Sequence, residues 1–257
     1  MAGHQGVLDC SPSLSYYLEI IMRIVLSLGG SILVPTLDPE QFREYAAVIT
    51  TLADEHDVCV VTGGGAPARE FIDVGRALGA NEVELAQLGI GVTQLNARLL
   101  IAALGDDAVL TPSTDYETAS RALRCGDIVV VGGIAPGQTT DAVSALLAEY
   151  VNAERLIYAT NMPGVFSADP HTQPDAEPFD ELRASQLITL ILDIDSTAGS
   201  SVPFDLLAAK MIQRAHCETV VLDGTEPECI LTAVRTGEFE GTRIIPDGNN
   251  DTPPAEP

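Results

Sequence analysis

Three apolar runs that end in clustered glycines restrict the fold of this chain more than any other feature. They are "MRIVLSLGGS" at 22–31, "DVCVVTGGG" at 57–65 and "DIVVVGG" at 127–133. A continuous apolar run without alternation reads as a strand buried on both faces. Glycine at its end allows a sharp turn and the close approach of another backbone. Helical periodicity fills the intervals. Asp38 is placed to cap a helix with Pro39 in its first position and Gln41 three residues after the cap. Phe42, Tyr45, Ala46, Ile49 and Leu52 then share one face. Further helices are predicted over 67–78, 88–104, 116–124, 140–150, 184–193, 204–215 and 227–236, and further strands over 108–111, 155–160, 219–223 and 242–246. This alternation predicts a three-layer αβα sandwich around a mainly parallel sheet.

No linker interrupts residues 22–246, which are read as one domain. Residues 1–21 lack the basic segment and cleavage site of a signal peptide and are expected to be a dispensable extension, with Met22 the functional start. The polar, proline-rich 247–257 is expected to be a disordered tail.

In a parallel sheet the three glycine clusters lie at one carboxyl edge, where open α/β folds bind ligands. Backbone N–H groups and helix N-termini there suit anions. Three such turns side by side suggest several phosphates held together, as phosphoryl transfer between two phosphorylated molecules requires. The P-loop pattern GxxxxGK[ST] is absent, because the only lysine, Lys210, follows Ala208-Ala209. GxGxxG follows none of the strands, which argues against a Rossmann dehydrogenase.

Charge narrows the partners. The net charge of -24 excludes a general nucleic-acid binder, since a phosphate backbone would be repelled. Such acidity with a single lysine resembles proteins of salt-loving organisms. No run of eighteen apolar residues occurs, so no membrane span is expected. Cysteines at 10, 59, 125, 217 and 229 form no CxxC, and histidines at 4, 56, 171 and 216 form no ligand pattern. A reducing cytoplasm is therefore expected, and no protein-bound transition metal.

The blocks "MRIVLSLGGS", "VVTGGGAPAREFIDV", "LNARLLIAALGDDA", "GGIAPGQTTDAVSALLAEYVNAERLIYATNMPGVFSADP" and "PFDLLAAKMIQR" occur in the order found in the archaeal uridylate kinases of the amino acid kinase family, which residues 22–246 resemble. The resemblance implies an amino acid kinase-like fold, transfer of the ATP γ-phosphate to UMP with Mg²⁺, a role in pyrimidine nucleotide supply, and a homohexamer. It implies that Gly29, Gly30 and Ser31 line the ATP phosphates, with Gly65 and Arg69 also contacting ATP. Thr160, Asn161, Phe166 and Asp169 would bind the adenosine side. Gly64 would face UMP, and Ile134, Ala135, Pro136, Gly137, Gln138, Thr139 and Thr140 would wrap its phosphate and ribose.

Two residues are candidate catalytic groups. A lone lysine on an amphipathic helix is ordinarily a solvated charge, but Lys210 resembles the lysine that many family members aim at the transferred phosphoryl group. Asp141 either orients Lys210 or a magnesium-bound water, or is a helix N-terminal carboxylate stabilised by the dipole. Asp169 is alternatively a turn-former before Pro170.

The chain departs from relatives in three places. Ser27 stands where many members outside this branch have lysine. Ala86 stands where an aspartate commonly contacts the UMP nucleoside, so either Glu84 takes over that contact or it is lost. Phe166 replaces a usual tyrosine. Competing readings are an isopentenyl phosphate or acetylglutamate kinase of the same fold, and a non-catalytic nucleotide-binding or storage protein. The first is disfavoured because "GGGAPAREF" lacks the histidine of isopentenyl phosphate kinases.

Overall fold

The computed structural model describes residues 21–168, 170, 173–195 and 204–247. The expectations for the N-terminal extension and the tail fall almost wholly outside the described residues.

Strands β1 (Arg23–Leu28), β2 (Asp57–Thr62), β3 (Val129–Val131), β4 (Arg155–Thr160), β5 (Glu181–Arg183), β6 (Glu218–Asp223) and β7 (Gly241–Ile245) form one sheet in the order β3-β2-β1-β4-β6-β7-β5. β1 pairs in parallel with β2 on one side and β4 on the other, and β6 continues the parallel set. β7 runs antiparallel to β6, so β5 and β7 reverse direction at one edge.

Alternate residues of each strand serve opposite faces. Val25, Cys59, Val61, Val129, Val131, Leu156 and Val221 pack under α5 (Tyr116–Leu123), α6 (Thr140–Val151), α7 (Ala184–Asp195) and α8 (Leu206–Ala215). Ile24, Leu26, Leu28, Val58, Val60, Val130, Ile157 and Leu222 pack under α1 (Gly30–Leu33), α2 (Pro39–Ala53), α4 (Glu82–Leu104) and α9 (Glu228–Thr236). The remaining helix, α3 (Gly65–Ala77), lies along α4. Burial on both sides explains why the central strands read as unbroken apolar runs. The expected three-layer αβα architecture is present.

Asp38 caps α2 through the Glu40 amide, with Pro39 at the first position. The strand expected over 108–111 does not form. Only isolated bridges join Ala108 to Ile128 and Ser113 to Val131, and Pro112 between them has no N–H to continue a ladder. α4 starts earlier than expected, where Asn81 and Glu84 make a reciprocal capping box. One oxygen of the exposed Glu84 carboxylate is engaged by the Asn81 amide in this cap. By length and composition α4 could cross a membrane. Here, however, Leu85, Ala97, Leu100 and Leu104 are buried in the domain.

Candidate active site

β2 and β3 lie to one side of β1, and β4 returns to the other, so the chain changes direction around β1. The crevice beyond the carboxyl ends of such strands is where an open α/β sheet accepts a ligand. The two glycine turns after β1 and β2 meet there backbone to backbone. A Cβ on Gly30 would lie 2.0 Å from the Gly65 nitrogen, and one on Gly63 would lie 2.2 Å from the Gly30 nitrogen. Gly65 also has φ +66, a left-handed conformation that disfavours side chains. Gly29 donates to the Ala159 carbonyl and Gly63 to the Leu28 carbonyl, so β1 stays joined to both neighbours past its end. The amides of Gly30, Ser31, Gly64 and Gly65 make no hydrogen bond among the described residues, and they mark the starts of α1 and α3. Free donors at helix N-termini attract anions.

Three residues of α4 hold these turns, and the sequence reading did not single them out. The Asn96 amide donates to the carbonyls of Gly63 (2.8 Å) and Gly64 (3.2 Å). The Thr93 hydroxyl accepts from the Gly133 amide at 2.6 Å, and the Thr93 carbonyl accepts from the Thr62 hydroxyl at 3.0 Å. Gln94 donates to the Gly133 carbonyl at 3.3 Å. Thr93 and Asn96 are buried, so each unmet polar group there would be costly. The signal in the sequence is a short polar stretch, "TQLN", inside an otherwise apolar helix.

The cavity bounded by these turns measures about 210 Å³. Gly29, Gly30, Ser31, Gly63 and Gly64 form one wall, Thr140 and Asp141 a second, and Tyr158, Ala159, Thr160 and Phe204 a third, with Ser27 at the base. No His, Cys, Lys or Arg is among these lining residues. A larger cavity of about 450 Å³ lies beyond β6 among Asp223, Glu226, Glu238 and Glu240. Its carboxylates repel phosphates, so the smaller, amide-lined cavity is the candidate site.

Asp141 is the distinctive charge in the site. Burial, reinforced by Asp205 and opposed by a hydrogen bond from Ser27, raises its carboxyl from 3.8 to about 7. Asp141 is also the acidic residue of the first turn of α6, where the helix dipole favours negative charge. The Tyr158 hydroxyl donates to the Asp141 carbonyl at 2.8 Å, and Phe204 packs edge-on against Tyr158 with centroids 4.6 Å apart.

Of the residues expected from sequence, Gly29, Gly30, Ser31, Gly64, Thr140, Asp141 and Thr160 come together around the cavity. Gly65 is buried immediately beside it. Ile134, Ala135, Pro136, Gly137, Gln138 and Thr139 form the loop that leads into α6. In that loop Gln138 accepts from the Tyr116 hydroxyl. Asn161 and Phe166 follow β4 outside the cavity lining, and Asp169 lies outside the described residues. Arg69 is exposed on α3.

Lys210 is not brought to the site. It shares an exposed stripe of α8 with Leu207 and Arg214, while Ala208, Ala209 and Ile212 face the core. It sits about 7.5 Å along the axis from the helix start that borders the cavity. Lys210 makes no ion pair or hydrogen bond among the described residues.

An amide-lined cavity at the switch point of an α/β sheet, with no His, Cys, Lys or Arg in its lining, is the kind of site a phosphoryl-transfer scaffold offers. Residues 22–223 match the Amino acid kinase family, and the chain belongs to it. It is 55% identical over 231 residues to a uridylate kinase of Halobacterium salinarum, covering 90% of this chain and 96% of that protein. A uridylate kinase of Haloarcula marismortui is 54% identical, covering 88% of this chain and all of that protein. The crystal structure of uridylate kinase from Archaeoglobus fulgidus superposes with a TM-score of 0.78 at 44% identity, covering 87% of this chain and 100% of that one.

Proposed function

We propose that this chain transfers the γ-phosphoryl group of MgATP to UMP, giving ADP and UDP. The observation that carries the reading is the amide-lined cavity where the turns after β1 and β2 meet the start of α6. Phosphoryl transfer asks a protein mainly to position two anionic groups in line and to neutralise charge. The cavity offers donors for that purpose. Mg²⁺ enters as part of the nucleotide substrate. Among the described residues no group of three or more His, Cys, Asp or Glu could hold a metal ion. We assign the turns at Gly29–Ser31 and Gly64–Gly65 and the post-β4 residues Thr160, Asn161 and Phe166 to ATP, with UMP on the 134–140 side.

ADP release coupled to a UMP acceptor tests this directly. UMP is expected to outpace CMP, AMP, isopentenyl phosphate and acetylglutamate, with the smallest margin over CMP because Ala86 supplies no acidic nucleoside contact. Equal rates with all nucleotide acceptors, or faster turnover of a non-nucleotide, would overturn it.

A cytoplasmic, salt-adapted homo-oligomer, hexameric by resemblance, completes the proposal. Phe71, Val74 and Leu78 on α3 and Val83, Leu95 and Leu99 on α4 are exposed, with Leu78 at 82% and Leu95 at 58%. Exposed apolar side chains spaced three and four apart, as at Phe71, Val74 and Leu78, suit a contact site, and a second copy is the occupant we propose. An acidic surface also repels itself when screening is weak, because the Debye length grows from about 3 Å at 1 M to about 30 Å at 0.01 M salt. Light scattering is therefore expected to show an assembly in molar salt that loosens in dilute buffer. Leu95→Glu should be smaller than the parent in both. An assembly indifferent to salt and to Leu95→Glu would remove this part of the reading.

A further inference from the structure

One side-chain hydrogen bond in this site joins two helix starts far apart in sequence. Thr139 caps α6, its hydroxyl accepting from the Ala142 amide at 3.1 Å. The same hydroxyl donates to Asp205 at 2.6 Å. Asp205 in turn caps α8, its other carboxylate oxygen accepting from the Ala208 amide at 2.8 Å. The Thr139 proton is therefore spent on Asp205 and is not free for a substrate oxygen.

The bond closes a circuit around the cavity. Asp205 follows Phe204, which packs against Tyr158, whose hydroxyl reaches the Asp141 carbonyl, two residues from Thr139. Phe204, Tyr158, Asp141 and Thr140 all line the cavity. Along the described chain, Phe204 meets the α6 wall by ring packing on one side, and on the other Asp205 bonds to Thr139 where α8 packs along α6.

We propose that Thr139 is a positioning residue whose hydroxyl, donated to Asp205, latches the start of α8 to the start of α6 and so holds Phe204 and Asp141 at fixed separation across the cavity. The bond is solvent-accessible, and exposed hydrogen bonds contribute little to global stability. Its effect belongs in geometry, where a displacement of about 1 Å can cost on the order of 10²-fold in rate. The inference rests on the proposed kinase reaction for its kinetic readout, and on local structure for a second readout that needs no turnover.

Thr139→Asp separates cap from latch. Aspartate caps a helix as well as threonine does, but it cannot donate to Asp205 and repels it. Expected is a kcat at least about tenfold lower at saturating substrates, with the KM for ATP within about threefold, while the KM for UMP, on whose side of the cavity the new carboxylate lies, rises as well. Thr139→Ser should stay within about threefold in kcat, because it keeps both bonds. In the double variant Thr139→Asp/Asp205→Asn, the amide at 205 donates to the carboxylate at 139, so most of the lost kcat should return. Amide hydrogen exchange at Leu206–Ala208 should accelerate in Thr139→Asp and not in Thr139→Ser, with the rest of the sheet unchanged. Accelerated exchange supports the latch even if the parent fails to phosphorylate UMP, a failure that would count against the kinase reading alone. Parent-like exchange and kcat in Thr139→Asp would overturn the proposal, as would a double variant no better than the single.

Discussion

Gly30→Ala should abolish most of the activity of a protein that still folds. The added methyl would sit 2.0 Å from the Gly65 nitrogen and 2.6 Å from its Cα, both backbone atoms that no rotamer change can move. Relief requires the two glycine turns to part by more than about 1 Å, because non-bonded carbon contacts settle near 3.5–4.0 Å. The amides that face the cavity ride on those turns and would move with them. Misplacement of that size costs on the order of 10²-fold or more in rate, and overpacking costs roughly 1–3 kcal/mol in stability. Both KM and kcat should suffer, since donors that bind the ground state and donors that serve the transition state sit on the same two turns. Steady-state kinetics with a melting curve as the folding control checks this. If kcat/KM stays within about threefold of the parent, less than about 1 kcal/mol of barrier, the interlocked turns are not the phosphate site.

Much of this site was legible because its requirements are written locally. A strand buried on both faces shows as an apolar run, and a backbone contact with no room for Cβ shows as glycine. That is why β1, β2 and β4 and the residues Gly29, Gly30, Gly64 and Asp141 could be placed without coordinates. What a linear pattern leaves open depends on the rotation of one element against another. Lys210 lies in "LLAAKMIQRA", where leucines flank alanines, and hydrophobicity alone does not reveal that Ala208, Ala209 and Ile212 are the inner face while Leu207 is outside. Tyr158 and Phe204 were missed for the same reason. Their approach to the cavity is set by strand parity and by α8 docking on α6, neither of which a linear pattern specifies. Likewise "TQLN" in α4 matters only because the helix crosses the ends of β2 and β3. The edge strand β5 has three residues with a single buried side chain, too short for any periodicity to register.

Asp141→Asn should lose activity and gain stability, and the gain should depend on pH. The Asp141 carboxyl is raised from 3.8 to about 7, mainly by burial and then by Asp205. Because the folded form holds its proton more tightly than the unfolded chain, the cost of ionising this group in the fold is absent below about pH 4. It grows between pH 4 and pH 7 and is constant above. Three units correspond to at most about 4 kcal/mol. Asparagine keeps the shape and an oxygen for Ser27 to donate to, and it carries no charge. The variant should therefore melt higher than the parent at pH 8, by several degrees at about 2–4 °C per kcal/mol for a chain of this size. The advantage should shrink at pH 6 and vanish toward pH 4. A fold that retains so expensive a charge beside an anion cavity gains something from it in the reaction. Two anions share a site only through an intervening positive charge, so the carboxylate is expected to meet the Mg²⁺ that arrives with ATP. On that account kcat in Asp141→Asn falls by about 10² or more, and the apparent Mg²⁺ requirement rises. A melting advantage equal at pH 8 and pH 5 would show that the carboxyl is not held protonated by the fold. Unchanged turnover at saturating Mg²⁺ would leave the charge without the function that justifies its cost.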